Sequence, residues 1–118
     1  MGGRLGVPVN SNAVKALHNS KTIDVLGRNT RKPLWTIDLL NSTLVSHDSK
    51  AFEADRLTIV PASKKNYVEY RGRTGSKPYR EFHLRLNRVD LRTFEGEMYE
   101  GQPPLGMRLV ANVIVYTS

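Results

Sequence analysis

Apolar and polar residues alternate along most of this chain with a period of two, the spacing of a half-buried strand rather than of a helix. Ile23 and Val25 flank Asp24, then Gly27-Arg-Asn-Thr-Arg-Lys-Pro33 supplies turn chemistry. From Leu34 to Leu40 the alternation resumes, with Trp35, Ile37 and Leu39 set against Thr36 and Asp38. That is the signature of a hairpin, with Trp35 as an aromatic anchor among aliphatic neighbours. Thr43 to Ser46 reads as a further short strand, His47-Asp-Ser-Lys50 as a polar turn, and Asp55 to Val60 as a clearer strand. Pro61 closes that strand or forces a bulge, because proline cannot donate to a central ladder. Tyr67 to Arg71 and Tyr79 to Val89 alternate across the glycine-rich stretch Gly72-Arg-Thr-Gly-Ser-Lys-Pro78. Strands from Arg92 to Tyr99 and from Met107 to Tyr116 follow, separated by Gly101-Gln-Pro-Pro-Leu-Gly106.

The faces of these strands differ in character. Phe82, Leu84 and Leu86 point one way; Tyr79, His83, Arg85 and Asn87 point the other, with Glu81 as the acidic exception, so the sheet is apolar on one side and basic-polar on the opposite one. In the last strand Leu109, Ala111, Val113 and Val115 share a face, and Arg108, Val110, Asn112, Ile114 and Tyr116 share the other. Residues 1–12 are rich in Gly, Pro and Asn and read as an arm; Asn12 is placed to cap a short helix from Ala13 to His18, with Val14 and Leu17 on one side. The expected architecture is a single domain over 1–118: an arm with a short N-terminal helix (1–20), then a mainly β, β-rich α+β body (21–118) built on an antiparallel sheet of about six strands.

Charge sharpens this picture. Residues 64–88 hold eight basic side chains (Lys64, Lys65, Arg71, Arg73, Lys77, Arg80, Arg85, Arg88) against Glu69 and Glu81, so six of the chain's seven net positive charges lie in one stretch. Such a stretch is either a platform for a polyanion or a solvated hairpin that keeps the protein soluble. Phosphates call for Lys or Arg and unstacked bases call for flat rings, and Tyr67, Tyr70 and Tyr79 are placed either to stack on bases or to pack across strands.

Catalytic chemistry finds less support. The 118 residues contain no cysteine and three histidines, which leaves no disulfide framework, no thiolate nucleophile and no cysteine-based zinc site. P-loop and GxSxG patterns are absent. His47 and His83 read as surface histidines, and Asp38 and Asp55 as strand-edge and turn carboxylates. Asn41-Ser-Thr43 matches a glycosylation acceptor but carries little weight without a secretory signal. No run approaches the roughly 20 apolar residues of a membrane helix. We therefore expect a soluble, unprocessed protein that is not an enzyme, with no cofactor, no metal, no membrane partner and no small-molecule substrate.

The order Asp55-Arg-Leu-Thr-Ile59, a basic loop with Gly75, Tyr79 to Val89, a Gly- and Pro-rich loop, and Met107 to Val115 resembles the small coat proteins of single-stranded RNA bacteriophages, over roughly residues 21 to 116. The resemblance implies a virion protein assembled in the host cytoplasm: a homodimer with sheets joined edge to edge, many dimers closing into an icosahedral capsid, and RNA bound on the inner sheet face. The family's RNA-contacting positions fall here on Arg56 and Thr58, on His83 and Arg85, and on Arg108 and Asn112; Lys64, Lys65, Arg71 and Arg73 join them on grounds of charge. Val110 stands where some members carry a base-stacking tyrosine. Family members end in two helices that cover the partner's sheet, whereas this sequence stops at Ser118, directly after its last strand. The apolar face carrying Phe82, Leu84 and Leu86 is then expected to be hidden by the arm, the short helix and a second copy. Two other architectures fit the alternation: a cysteine-free immunoglobulin-like sandwich with Trp35 at its centre, and a single-strand nucleic-acid-binding barrel.

Overall fold

Each stretch of period-two alternation becomes a strand. The computed structural model describes residues 17, 20–47, 56–61, 67–74, 79–102 and 106–117. They form β1 (Thr22–Gly27), β2 (Pro33–Asp38), β3 (Thr43–Ser46), β4 (Arg56–Pro61), β5 (Tyr67–Arg73), β6 (Glu81–Asp90), β7 (Thr93–Gly101) and β8 (Met107–Tyr116). The count is eight rather than about six, because the short Thr43–Ser46 piece pairs with β2 and every other candidate strand also finds a neighbour. The expected helix from Ala13 to His18 and the arm lie outside the described residues, save Leu17, whose side chain is fully buried in the core.

All eight strands belong to one antiparallel sheet in the order β3-β2-β1-β8-β7-β6-β5-β4. Read as a circle, this is an up-and-down order: each strand neighbours the next in sequence, β1 pairs with β8, and the circle is left open only between β3 and β4, which lie against each other. The sheet thus curls nearly into a barrel. Eight strands give an interior just wide enough for side chains to fill, and Ile23, Val25, Trp35, Ile37, Leu44, Val68, Tyr70, Phe82, Leu84, Leu86, Phe94, Met98, Val113 and Val115 fill it, with Leu57 and Ile59 of β4 packed against them. Trp35 is a core residue, as its aliphatic neighbours predict.

This closure changes the expected role of a partner. Phe82, Leu84 and Leu86 do form an apolar face, and all three are fully buried, but the chain's own strands bury them. No second copy is required for that purpose. A two-sheet sandwich is likewise not what forms, since the eight strands are hydrogen-bonded in one continuous series.

A one-residue register shift between Met98 and Tyr99 sets the phase of β8: Met98 faces Ala111, whereas Tyr99 faces Leu109, leaving Val110 as the extra residue. Because side chains alternate, such a bulge exchanges the two faces on either side of it. Leu109 is consequently half exposed and not in the core. Arg108 stands opposite Glu100, and no longer shares a phase with Asn112 as uninterrupted alternation predicts.

β6 and β7 leave no room for a side chain at Gly96, where an added Cβ would stand 1.6 Å from the Arg85 carbonyl oxygen. A methyl group there requires the backbone of β6 to move. We predict that Gly96→Ala lowers stability by about 1–3 kcal/mol or more, read as a drop in the urea midpoint; an unchanged midpoint would show that the two strands separate freely.

Candidate functional site

Strand pairing carries Arg71, Arg73 and Arg85 of the basic stretch onto the outside of the barrel. On the outer face of β4, β5 and β6, Arg56 lies directly opposite Arg73, which is opposite Glu81; in the next row Thr58 is opposite Arg71, which is opposite His83. Together with Gly72 these residues line an open cleft of about 500 Å³. Gly72 itself faces inward, and its missing side chain leaves the space that the Phe82 ring occupies: a Cβ there would come within 2.4 Å of that ring. The packing of the core therefore sets the floor of the cleft.

Five of the positions singled out in the sequence, Arg56, Thr58, Arg71, Arg73 and His83, meet in this cleft. Arg85 sits one row further along β6, opposite Glu69 and Glu97. Asn112 is exposed at the end of that row, beyond β7. Arg108 is not part of the face: with Arg80 it brackets the carboxylate of Glu100, at 3.0 Å from Arg108 Nη2 to Oε1, and the residue Glu100 is only 4 % exposed. The bulge in β8 is the cause. Lys64 and Lys65 lie outside the described residues.

Glu69 controls how much of this positive charge is free. It accepts from Arg71 Nε at 2.9 Å and from Arg85 Nη2 at 3.2 Å, and it pairs with Arg71 Nη2 at 2.8 Å. Burial opposes its ionisation, but the hydrogen bonds and charges of the two guanidinium groups outweigh burial and hold its carboxyl below the usual glutamate range. His83 Nε2 stands 3.7 Å from Glu81 Oε1. Arg56 and Arg73 make no ion pair among the described residues; Arg73 instead lies over the ring of Tyr79 at 5.0 Å, and Arg85 over the ring of Tyr67 at 5.0 Å.

Sequence reasoning passed over Glu69 as part of this face, whereas Tyr67 and Tyr79, named there as stacking or packing tyrosines, both lie on it. The signal for Glu69 was the period itself, since Tyr67, Glu69, Arg71 and Arg73 are spaced by two and must share a side of β5. Tyr70, offered with the other two tyrosines, is fully buried inside, and burial pushes its phenol well above the usual range. Elsewhere, Thr36 donates to Asp24 Oδ1 at 3.0 Å and meets His47 Nε2 at 2.7 Å. In that chain the hydroxyl lies between base and acid, so the histidine is not oriented by the carboxylate as a nucleophile's base requires. No group of three or more His, Cys, Asp or Glu side chains fit to hold a metal occurs among the described residues.

No family model, curated protein or solved structure matches the chain.

We predict that Glu69→Gln acts in two directions. It removes one negative charge from the face and so strengthens anion binding, while it lowers stability at neutral pH by about 1 kcal/mol, the scale of half-exposed ion pairs. A carboxyl held below its ordinary pKa stabilises the fold above that ordinary value, 4.5 for glutamate, and loses its contribution as pH falls through the folded value. The stability gap between the two proteins should thus be full at neutral pH and close in acid; a gap independent of pH would remove Glu69 from this role.

Proposed function

We propose that the protein binds RNA through the outer face of β4, β5 and β6. The observation that carries this reading is the pairing of Arg56 directly opposite Arg73, beside Arg71 and His83, over an open cleft. Like charges directly opposite destabilise a sheet, and a phosphate held between two guanidinium groups converts the repulsion into charge-assisted hydrogen bonds. Thr58 adds a hydroxyl donor in the same cleft. The face is polar and cationic rather than apolar, which suits a phosphate backbone better than a lipid or a hydrophobic peptide. The reading keeps the RNA partner expected from the sequence and places it on the outside of a barrel built by one chain.

A wider reading, RNA packaging by a shell of many copies, draws on a separate observation. β1 pairs with β8 only at Leu26–Ile114 and Gly27–Val113. Met107 to Ala111 therefore run past the β1–β2 hairpin with β7 alone beside them among the described residues, and Met107, Leu109 and Val110 are exposed there. An edge of that kind accepts a strand from another chain.

Two measurements test these readings. Arg56→Ala with Arg73→Ala should weaken RNA binding on all sequences alike and flatten its salt dependence by about 0.7 in the log–log slope for each phosphate left without its arginine, whereas Arg108→Ala, tied to Glu100, should leave both unchanged. Equal effects of the two changes would place the interface elsewhere. Light scattering on purified protein decides the wider reading: large particles containing nucleic acid support it, and a nucleic-acid-free monomer ends it.

A further inference from the structure

Two arginine–tyrosine stacks bracket the basic cleft. At one end Arg73 lies over Tyr79, just ahead of β6, and at the other Arg85 lies over Tyr67, the first residue of β5, each at 5.0 Å from guanidinium carbon to ring centroid. Tyr79 is 40 % exposed and Tyr67 is half-buried, while Tyr70 between them is enclosed in the core. Tyr67, Glu69, Arg71 and Arg73 stand in line on the outer face of β5, a row roughly 20 Å long at the rise of an extended strand. The rings thus sit at the two ends of a row that holds the Glu69 carboxylate and the guanidinium groups of Arg71 and Arg73. Both stacks are diagonal cross-strand pairs, Arg85 of β6 over Tyr67 of β5 and Arg73 of β5 over Tyr79 ahead of β6, and a guanidinium group over a ring engages one of its two faces. An arginine stacked on a ring keeps donors at its edge for phosphate.

From this arrangement we infer that the ligand is single-stranded, with unpaired bases stacked on Tyr79 and Tyr67 and the intervening backbone held by Arg73, Arg71 and Arg56. The inference rests on the RNA-binding reading above and adds the state of the strand. A duplex has its bases already stacked and offers no free ring face to these tyrosines, whereas a single strand offers one at every nucleotide.

The test is fluorescence anisotropy with a labelled single-stranded RNA of about 12 nucleotides, within the span such sites cover, and with the same strand annealed to its complement. Tyr79→Ala and Tyr67→Ala should each weaken single-strand binding about ten-fold, Tyr79→Phe and Tyr67→Phe should retain it, and the salt dependence should not change because no charge is removed. Tyr79→Leu and Tyr67→Leu, which keep bulk without a π-face, should behave like the alanine variants, with thermal melts confirming that all are folded. Alanine and leucine variants that bind as tightly as the wild type, or a duplex bound as tightly as the single strand, would overturn the stacking inference while Arg56→Ala with Arg73→Ala still upheld RNA binding. Failure of the wild-type protein to bind either RNA would overturn both.

Discussion

The structure depends on a single constraint: every strand has one apolar face, and a lone sheet leaves that face in water. Each buried Leu, Val, Phe or Met side chain contributes on the order of 1.5–3 kcal/mol, so a sheet with this composition gains by curling until its faces meet. Curling also sorts the chemistry. With the interior occupied by Phe82, Leu84, Leu86, Tyr70 and their neighbours, the alternate positions of the same strands are forced outward, and on β5 and β6 those positions are Arg71, Arg73, His83 and Arg85. The cationic face is the reverse side of the core.

The closure is not uniform. β6, β7 and β8 pair over nearly their whole lengths, but β1 meets β8 at two residue pairs, supported by the Arg28 amide on the Asn112 carbonyl at 2.9 Å and by Arg28 Nη2 on the Gly96 carbonyl at 3.0 Å. The three-stranded unit β1–β2–β3 is thus joined to the five-stranded unit by a narrow seam. The cationic face lies wholly on the five-stranded unit.

Much of this was legible in the alternation alone. Eight strands appear where period two appears, and Trp35, Phe82, Leu84, Leu86, Val113 and Val115 are buried as their spacing requires. Closure was not legible, because an open sheet awaiting a partner and a sheet that curls onto itself carry the same alternation; pairing between β1 and β8 is a long-range event with no local signature. Nor was the bulge at Val110, since one inserted residue in a run of Met, Leu, Val and Ala leaves hydrophobicity unchanged while reversing the faces. That is why Arg108 was grouped with Asn112 and turns out to be tied to Glu100. The cleft was half legible: charge marked Arg71 and Arg73, but only the register of β4 against β5 sets Arg56 across from Arg73.

That last pairing reaches beyond recognition. β4 is the outermost strand of its unit, hydrogen-bonded on one side to β5, and it carries Pro61, a residue suited to such a border. The like charges of Arg56 and Arg73, directly opposite each other, weaken the hold of this border strand on its neighbour. An anion gripped by both would clasp the strands together instead, so occupancy of the proposed site would stiffen this margin of the sheet and raise the melting temperature.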